Sequence, residues 1–384
     1  MTKDIKQDTA RYVRLDAGDP APWFYQRTFA NDRFAFHTAG GRYIVLSFFS
    51  SAADEHSRSA IKAVMDRKDL FDETKAIFFG VSTDPDDEGQ KRIAEFYPGY
   101  RFVLDYDGSV SRSYGVLPAQ ETTGTNITNL PARRRWFVLD PTLRIMNVIP
   151  FRQDRSDISD LVTYLDGLPP AAEFAGTPLQ APVIVLPNVF DRAFCNELIG
   201  LYEKNGGTES GFMRERDGKT VTMHDHSHKR RRDYLIQENE IIRHSQSLFR
   251  RRVVPEIAKI HQFNVQRMER YIVSCYSAEE QGHFRPHRDN TTKGTAHRRF
   301  AVSVNLNDDF EGGEVVFPEY GQRGFKMPAG GAVVFSCSLL HCVRPVTRGK
   351  RYAFLPFLYD DAAAKIREQN NSFLGEGVGK YQGR

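Results

Sequence analysis

The order of hydrophobic segments changes once along this chain, and that change limits the folds it can adopt. In the first half, continuous apolar runs such as Arg42–Ser50 alternate with helix-like segments at 54–71 and 86–98. From Tyr271 onward the segments are short, strand-like and separated by turns. Strand–helix alternation predicts an α/β layer with helices on its faces, whereas successive short strands predict an all-β barrel or sandwich.

A stretch rich in proline, alanine and glycine separates the two patterns. The segment DGLPPAAEFAGTPLQAPV has no clear periodicity, which is typical of a linker. At 384 residues the chain is also longer than one typical core needs. We therefore predict an α/β domain over residues 1–165, a linker over 166–182, an all-β domain with flanking helices over 183–361, and a tail over 362–384.

Two helices are expected beside the all-β pattern. The segment NVFDRAFCNELIGLYEKNG predicts an amphipathic helix that begins near Asp191 and ends at Gly206. The tail after Asp361 is expected to be helical at first and then irregular.

Composition and charge exclude several classes of protein. No run of about eighteen apolar residues occurs, so a membrane span is not expected. The start, MTKDIKQDTARYVRL, lacks the apolar core of a signal peptide, and four cysteines do not form a disulfide framework, so we expect a cytoplasmic protein. The net charge is +4. The densest basic run, Lys229–Arg232, is expected to be a solvated loop, with nucleic-acid binding as the alternative.

Two histidines and a carboxylate lie close together in the segment GHFRPHRDN. Residues two apart on an extended strand project to one face, so His287 and Asp289 can direct an imidazole and a carboxylate to one point. His283 has the same parity, and alternation alone does not reject it. His341, reached by an apolar strand, is the candidate for a third ligand. These would complete a 2-His-1-carboxylate set, which leaves positions of an octahedral Fe(II) open.

Other assignments fit this region less well. HRD also opens the catalytic loop of protein kinases, but Gly294 stands where that loop needs asparagine. The segment His224–His228 (HDHSH) has a metal-binding composition, yet its polar flanks favour a loop over the mouth of the pocket. Cys337 and Cys342 flank His341 without a second cysteine pair, which favours buried apolar thiols over a zinc site.

The segments YSAEEQGHFRPHRD, RRFAVSVNLNDDFEGGEVVFP, MPAGGAVVF and HCVRPVTRGKRYAF resemble the Fe(II)/2-oxoglutarate-dependent dioxygenases. Among them, the prolyl-4-hydroxylase-like group fits over about residues 183–360. The resemblance implies an all-β double-stranded β-helix, or jelly roll, whose barrel bends at Gly312 and Gly313. It implies iron ligation by His287, Asp289 and His341.

The same resemblance assigns the remaining pocket residues. Arg351, ten residues after His341, falls where the family's basic residue pairs with the far carboxylate of 2-oxoglutarate. Tyr276 falls where a tyrosine helps to hold that carboxylate, and His283 falls in the pocket wall. Four arginines and the basic run would form a rim suited to an acidic substrate, with a solvated rim as the alternative: Arg285, Arg288, Arg298 and Arg299.

The resemblance implies an enzyme that uses Fe(II), 2-oxoglutarate and dioxygen, with ascorbate as a candidate reductant. It would hydroxylate a prolyl or other amino-acid-type substrate and release succinate and CO2. Asp289 favours hydroxylation, since the halogenating relatives carry a small residue there. Two alternatives stay open: an oxygenase acting on a small-molecule or carrier-bound substrate, and a non-catalytic binding or sensor protein with relic domains.

Five segments of the first half, in order, resemble the peroxiredoxin (thioredoxin-like) family over about residues 12–150: GDPAPWF, GRYIVLSFF, GVSTD, FVLDYDGSVSRSYGV and RRRWFVLDP. That family needs a cysteine at the start of the helix after the first core strand, where an arginine lowers the pKa of the thiol. Here the segment reads SSAADEHSRS, and no cysteine precedes Cys195. The arginine run Arg133–Arg135 therefore has nothing to activate. The resemblance implies a thioredoxin-like domain without peroxidase activity.

We expect this first domain to be a scaffold, a homodimer interface or a module that recruits a protein partner or substrate. A purely structural role is the alternative.

Overall fold

A computed structural model describes residues 12–120 and 127–381. The first residues of the predicted α/β domain and the last three of the predicted tail lie outside these ranges. The chain divides into two units, one running up to Gln180 and including Pro318–Gly321, the other beginning at Ala181 and holding the rest. Within the described ranges, no helix combines the length and apolar character needed to cross a membrane.

The first unit is the α/β layer that the sequence predicts. Its strands are β1 (Tyr25–Gln26), β2 (Phe34–Ala35), β3 (Tyr43–Ser50), β4 (Ala76–Ser82), β5 (Tyr100–Leu104), β6 (Arg135–Leu139) and β7 (Ile145–Pro150). Its α-helices are α1 (Glu55–Met65), α2 (Pro85–Gly89), α3 (Ser109–Ser113) and α4 (Ser156–Asp166), with 3-10 turns at Phe36–Ala39, Ile127–Asn129 and Ala171–Glu173.

One five-stranded sheet organises this unit, in the order β5-β4-β3-β6-β7. Strands β3, β4 and β5 are parallel, while β6 and β7 are antiparallel additions. Val45 and Phe49 of β3 join the hydrophobic core on one face, and Ile44 and Leu46 join the core on the other. Burial on both faces explains why β3 reads as a continuous apolar run.

The predicted helix over 86–98 is wrong in extent, because helix α2 ends at Gly89. Lys91 adopts a left-handed φ of 54°, which an α-helix interior does not accommodate. The Arg92 guanidinium turns back to Asp84 at 3.1 Å and to Asp87 at 3.3 Å. The spacing of apolar residues favoured a longer helix, but the turn at Lys91 and Arg92 ends the helix early.

The second unit contains the predicted succession of short strands. They are β8 (Ile184–Leu186), β9 (Thr208–Glu209), β10 (Phe212–Arg216), β11 (Lys219–Met223), β12 (Lys229–Arg230), β13 (Arg232–Leu235), β14 (Arg267–Glu269), β15 (Ile272–Ser277), β16 (His283–His287), β17 (Phe300–Asn305), β18 (Glu311–Gly312), β19 (Val315–Val316), β20 (Gly324–Phe325), β21 (Ala332–Ser336), β22 (His341–Val343), β23 (Val346–Arg348), β24 (Lys350–Phe354) and β25 (Phe357–Tyr359).

Four α-helices accompany these strands: α5 (Arg192–Asn205), α6 (Asn239–Arg252), α7 (Val254–His261) and α8 (Asp361–Gln369). Helix α5 confirms the predicted limits, since the Asp191 side chain caps it by accepting from the Phe194 N–H and Gly206 ends it. Helix α8 is the helical start of the tail, followed by a 3-10 turn at Asn370–Phe373.

Two antiparallel sheets carry the functional part of this unit. The larger has nine strands, with the path β14-β25-β17-β24-β15-β13-β9 and the pair β21–β8 joined to β17; the smaller has the order β12-β16-β22-β19-β20. Helices α5, α6 and α7 pack on the larger sheet through Phe194, Phe249 and Ile257, which meet Val273 and Phe354 in one hydrophobic core. That packing covers one face of the larger sheet.

The basic run does not form the solvated loop that we predicted. Its residues form β12 and the first residue of β13, with Arg231 between the two strands, and Lys229 and Arg231 are buried. The Lys229 ammonium donates to the Ser210 Oγ at 2.8 Å and to the Gly211 carbonyl at 2.6 Å. Because strand side chains alternate, Lys229 and Arg231 point inward and are held by polar partners.

Gly312 occupies a position that only glycine fits. It has a φ of +72°, and a Cβ there would lie 2.2 Å from the Pro345 carbonyl oxygen. Gly218, in the turn between β10 and β11, has a φ of +73° but no atom within 4 Å of a Cβ. The two positions therefore share a backbone conformation and differ in the space around it.

We predict that Gly312→Ala destabilises the second unit by about 3 kcal/mol, because the carbonyl clash adds to the cost of a left-handed alanine. Gly218→Ala is expected to cost about 1 kcal/mol, from the backbone term alone. Urea unfolding followed by far-UV circular dichroism measures both. Equal losses in the two variants would show that the close approach at Gly312 is relieved at little cost.

Candidate metal centre

Three side chains that the sequence singled out are brought together in the second unit. His287 ends β16 and His341 begins β22, and the two residues are direct cross-strand partners in the smaller sheet. The Asp289 carboxylate lies 3.6 Å from the His287 Nε2 and 3.4 Å from the His341 Nε2. One ligand atom from each residue lies within 4.8 Å of the others, and no other such group occurs in the part of the chain that the structure describes.

The structural route to this cluster differs from the predicted one. Asp289 lies two residues beyond the end of β16, so it does not share a strand face with His287. Its backbone N–H donates to the Cys337 carbonyl at 2.9 Å, which ties the turn after β16 to the turn before β22. The predicted apolar strand likewise ends at Ser336, and His341 opens a separate strand.

Backbone carbonyls fix the tautomer of both imidazoles. The His287 Nδ1 lies 2.8 Å from the Arg285 carbonyl oxygen, and the His341 Nδ1 lies 3.1 Å from the Leu339 carbonyl oxygen. A carbonyl can only accept, so each Nδ1 carries the hydrogen and each Nε2 lone pair is left facing Asp289. This is the arrangement that metal-binding histidines need.

Burial sets the charges of the cluster. It lowers the pKa of His341 to about 4, helped by the nearby His287, so the His341 imidazole is neutral at pH 7. Burial would raise the pKa of the Asp289 carboxyl, but the electrostatic interactions around it, including that with Arg298, hold it below its usual range. A neutral imidazole and an ionised carboxylate are the forms that bind a cation.

Arg351 and Tyr276 lie opposite each other on neighbouring strands of the larger sheet, β24 and β15. Arg351 is 2% exposed; its Nε donates to the Asn305 Oδ1 at 3.0 Å and its Nη2 to the Ser303 Oγ at 2.7 Å. Its Nη1 is buried without a hydrogen-bond partner. Within residues 12–120 and 127–381 no carboxylate forms an ion pair with it; burial lowers its pKa, and the charge of Glu314 offsets this only in part. An unneutralised buried guanidinium suits an anionic ligand.

His283 stands apart from this cluster. Its ring nitrogens lie 2.8 Å from the Gln281 carbonyl and 3.3 Å from the Ser227 carbonyl, so it holds backbone rather than joining the two other imidazoles. It faces the segment that includes the HDHSH loop. The family spacing that assigned His287 over His283 therefore agrees with the positions of both side chains.

The HDHSH loop contributes one residue near the centre. The His228 ring packs edge-on against Phe284, which stacks on His287 with centroids 3.5 Å apart. Burial, with the nearby His287, lowers the pKa of His228 to about 4. His226 instead pairs with Glu209 at 2.8 Å.

The two cysteines beside His341 differ in exposure. Cys337 is fully buried, and burial raises the pKa of its thiol well above the usual value. Cys342 is half-buried, so the expectation that both thiols are buried holds for Cys337 alone.

The predicted basic rim is only partly exposed, and its arginines are engaged by other protein groups. Arg288 is buried and donates to the Ser338 carbonyl at 2.5 Å. Arg298 lies 2.9 Å from the buried Glu269. Arg285 is the exposed one of the four rim arginines, and it donates to the Ser227 carbonyl. The sequence over Lys229–Asp233 is charged at every position, so its residue pattern gave no signal that alternate side chains point inward.

In the first unit, an ion pair occupies the region where the peroxiredoxin resemblance places its reactive thiol. Ser57 is buried in the first turn of α1, and the Arg134 Nη1 lies 3.2 Å from its hydroxyl. The Arg134 guanidinium also pairs with Asp54 at 2.8 Å. The arginine that we expected to have nothing to activate is therefore held by a carboxylate.

Comparison with known families matches both units. The 2OG-Fe(II) oxygenase superfamily matches residues 271–359, and the AhpC/TSA family matches residues 17–148. A PKHD-type hydroxylase of Paracoccus denitrificans is 53% identical over 53 residues, covering 14% of this chain and 23% of that protein. Another, of Cupriavidus metallidurans, is 41% identical over 80 residues, covering 18% and 35%. The chain thus spans about a quarter to a third of the length of these curated relatives.

Solved structures of two kinds resemble part of this chain. A prolyl hydroxylase from Trichoplax adhaerens, in complex with a hypoxia inducible factor oxygen degradation domain peptide, has a TM-score of 0.39 and 16% identity, covering 48% of this chain and 85% of that one. The peroxidoxin BcpB from Mycobacterium tuberculosis has a TM-score of 0.34 and 20% identity, covering 41% and 99%.

The family matches confirm the predicted pairing of a thioredoxin-like α/β domain with a β-rich jelly-roll domain. The oxygenase match begins at Tyr271, includes every residue of the His287, Asp289 and His341 cluster, and extends beyond Arg351. That superfamily uses Fe(II) as its metal, with 2-oxoglutarate and dioxygen as co-substrates. The chain carries a 2OG-Fe(II) oxygenase domain in its C-terminal region and an AhpC/TSA domain in its N-terminal region.

Proposed function

We propose that the second unit is a 2-oxoglutarate-dependent hydroxylase of the prolyl-4-hydroxylase-like kind. The observation that carries the proposal is the convergence of two Nε2 lone pairs on one carboxylate, at His287, His341 and Asp289. Two imidazoles and one carboxylate are the donor set of non-haem Fe(II) oxygenases.

The residues present fit both groups that this activity needs. His287, Asp289 and His341 would hold Fe(II), and Arg351 and Tyr276 would hold the far carboxylate of 2-oxoglutarate. The unpartnered Nη1 of Arg351 supports the second assignment, since a guanidinium binds a carboxylate through paired N–H donors. Together, iron and 2-oxoglutarate supply the activation of dioxygen for C–H hydroxylation, with succinate and CO2 as products.

The chain's own residues would position and insulate this chemistry. The Arg285 and Leu339 carbonyls hold the hydrogens of the two imidazoles at Nδ1, so the ligand atoms need not reorient when metal binds. Phe284 stacks on the His287 ring, and the Phe335 ring lies 4.6 Å from that of His341. These apolar contacts would restrict the motion of both imidazoles and exclude water from the ring faces that the two phenylalanines cover.

We propose a prolyl or other amino-acid-type side chain as the substrate, on the basis of the PKHD-type hydroxylase relatives. A small-molecule or carrier-bound substrate recruited through the first unit is the second candidate. The Arg134–Asp54 pair favours a binding or scaffolding role for that unit over peroxide chemistry. A homodimer through this unit and a cytoplasmic location complete the proposal.

The first experiment is an anaerobic absorbance titration of apo-protein with Fe(II) and then 2-oxoglutarate. A visible charge-transfer band that needs both additions is expected for the wild type. Arg351→Ala is expected to weaken 2-oxoglutarate binding by about 100-fold or more, because a buried charged contact is lost. Fe(II) binding should be kept in this variant.

Arg348→Ala is the matched control, since Arg348 is exposed and pairs with Glu311 on the surface. It should titrate like the wild type. A folded wild-type protein that gives no band would contradict the proposal and favour a non-catalytic binding protein.

A further inference from the structure

Three large side chains form a row across neighbouring strands of the larger sheet. Arg232 is the cross-strand partner of Cys275, which places Arg231 beside Tyr276, and Tyr276 is itself the partner of Arg351. Directly opposed residues share a sheet face. The guanidinium carbons of Arg231 and Arg351 lie 5.7 Å and 5.4 Å from the centre of the Tyr276 ring. The tyrosine therefore lies between two buried cations.

Arg231 is fixed on the side away from Arg351. Its Nη2 donates to the Asp233 Oδ2 at 2.7 Å and to the Ser210 Oγ at 3.0 Å. Asp233 is in turn held by the Ser274 Oγ at 2.7 Å. Arg231 is 5% exposed, so this network holds the guanidinium in one orientation.

The remaining nitrogen of Arg231 determines what the Tyr276 hydroxyl can do. The Arg231 Nη1 lies 3.3 Å from the Tyr276 Oη. A guanidinium can only donate, so the phenol oxygen accepts and its own hydrogen must point to another acceptor. In the described ranges, no protein group accepts that hydrogen.

The row also carries more positive than negative charge. Among the residues that the structure describes, Asp233 is the carboxylate that forms an ion pair with a member of this row, namely Arg231. Arg351 has no carboxylate partner, and both the Arg231 Nε and the Arg351 Nη1 are buried without hydrogen-bond partners. Asp233 is also shared with Arg270 at 3.4 Å, so the buried guanidiniums have too little negative charge around them unless an anion joins them, even with Glu314 acting on Arg351.

We propose that Arg231 is a positioning residue that orients the Tyr276 hydroxyl as a donor toward the far carboxylate of 2-oxoglutarate. Arg351 and Tyr276 then grip that carboxylate together, and Arg231 contributes without contacting it. This inference rests on the proposed function, because it assigns a role within the same co-substrate pocket. Asp233 serves it indirectly, by holding Arg231.

The test is a double-mutant cycle on 2-oxoglutarate binding to the Fe(II)-loaded full-length protein, measured anaerobically through the charge-transfer band. Arg231→Gln and Tyr276→Phe are each expected to raise the Kd for 2-oxoglutarate about tenfold. The double variant should be weakened by about the same factor as either single variant, because both remove one oriented hydroxyl. Fe(II) affinity should be unchanged.

Pyruvate, a 2-oxo acid without a far carboxylate, separates positioning from a general structural effect. Pyruvate should bind more weakly than 2-oxoglutarate, and its Kd should be the same in the wild type, Arg231→Gln and Tyr276→Phe. Arg232→Gln is the matched control, since the neighbouring Arg232 is exposed and donates to the Gly207 carbonyl. It should bind both ligands like the wild type.

Several outcomes would overturn the inference. These are wild-type 2-oxoglutarate affinity in Arg231→Gln, additive losses in the double variant, or an equal loss of pyruvate binding. Should Arg231→Gln fail to fold, Tyr276→Phe still decides, because wild-type affinity in that variant contradicts the role of the hydroxyl. Absence of any band in the wild type would instead refute the proposed function, so the two failures are distinguishable.

Discussion

His287→Ala is expected to abolish tight Fe(II) binding, whereas His283→Ala, four residues earlier on the same strand, is expected to retain it. His287 supplies one of the two Nε2 atoms that face Asp289, and His283 holds only backbone carbonyls. Substituting a residue that hydrogen-bonds to a metal ligand typically lowers metal affinity by about 10–100-fold. Removing the ligand itself should therefore lower Fe(II) affinity by more than about 100-fold. Anaerobic equilibrium dialysis against Fe(II) measures the loss.

Turnover gives an independent measure of the same contrast. Oxidation of 2-oxoglutarate to succinate without added substrate should fall to background in His287→Ala and stay near the wild-type rate in His283→Ala. The reverse ranking would place the metal on the other histidine, and equal losses in both would point to a general disruption of β16.

The three residues that cluster could be singled out from the sequence, but the geometry that assembles them could not. The resemblance to the dioxygenases selected His287, Asp289 and His341 as candidates, because strand alternation alone did not reject His283. The N–H of Asp289 donating to the Cys337 carbonyl joins two turns that are far apart in sequence. A backbone contact of this kind leaves no residue signature, since any side chain at Cys337 offers the same carbonyl.

The same contrast holds for the fold. Local signals placed helix α5 correctly, because Asp191 and Gly206 act on the residues next to them. They failed over the basic run, where burial of Lys229 and Arg231 depends on Ser210, Asp233 and other partners outside the run. Charge predicts exposure only until a long-range partner neutralises or hydrogen-bonds it.

Glu269→Gln is expected to destabilise the second unit by about 3 kcal/mol, because it leaves the partly buried Arg298 and Arg367 without the buried carboxylate that they share. Glu269, at the end of β14, is 6% exposed. Its carboxylate lies 2.9 Å from Arg298, 2.6 Å from Arg367 and 3.1 Å from His297. Glutamine keeps the size and the accepting oxygen of the side chain but removes the charge.

The pH dependence of stability should change in the same variant. Burial would raise the pKa of Glu269, but Arg298, His297 and Arg367 hold it well below its usual range. A depressed folded-state pKa contributes stability that is present above the unfolded pKa of about 4.3 and is lost as the pH falls below it. The wild type should therefore lose stability steeply below about pH 4.3, and Glu269→Gln should show a shallower acid slope.

The position of the tryptophans lets one experiment separate the two units. Trp23 and Trp136 are the tryptophans of the chain, and both precede Gln180, so their fluorescence reports on the first unit. In urea unfolding of Glu269→Gln, the transition of the second unit, followed by far-UV circular dichroism, should move to a lower urea concentration. The transition of the first unit, followed by tryptophan fluorescence, should stay at the wild-type concentration. Glu280→Gln, which removes a half-exposed partner 3.6 Å from Arg232, should cost less than about 1 kcal/mol. Similar losses in Glu269→Gln and Glu280→Gln would mean that water reaches the Glu269 cluster and screens its charges.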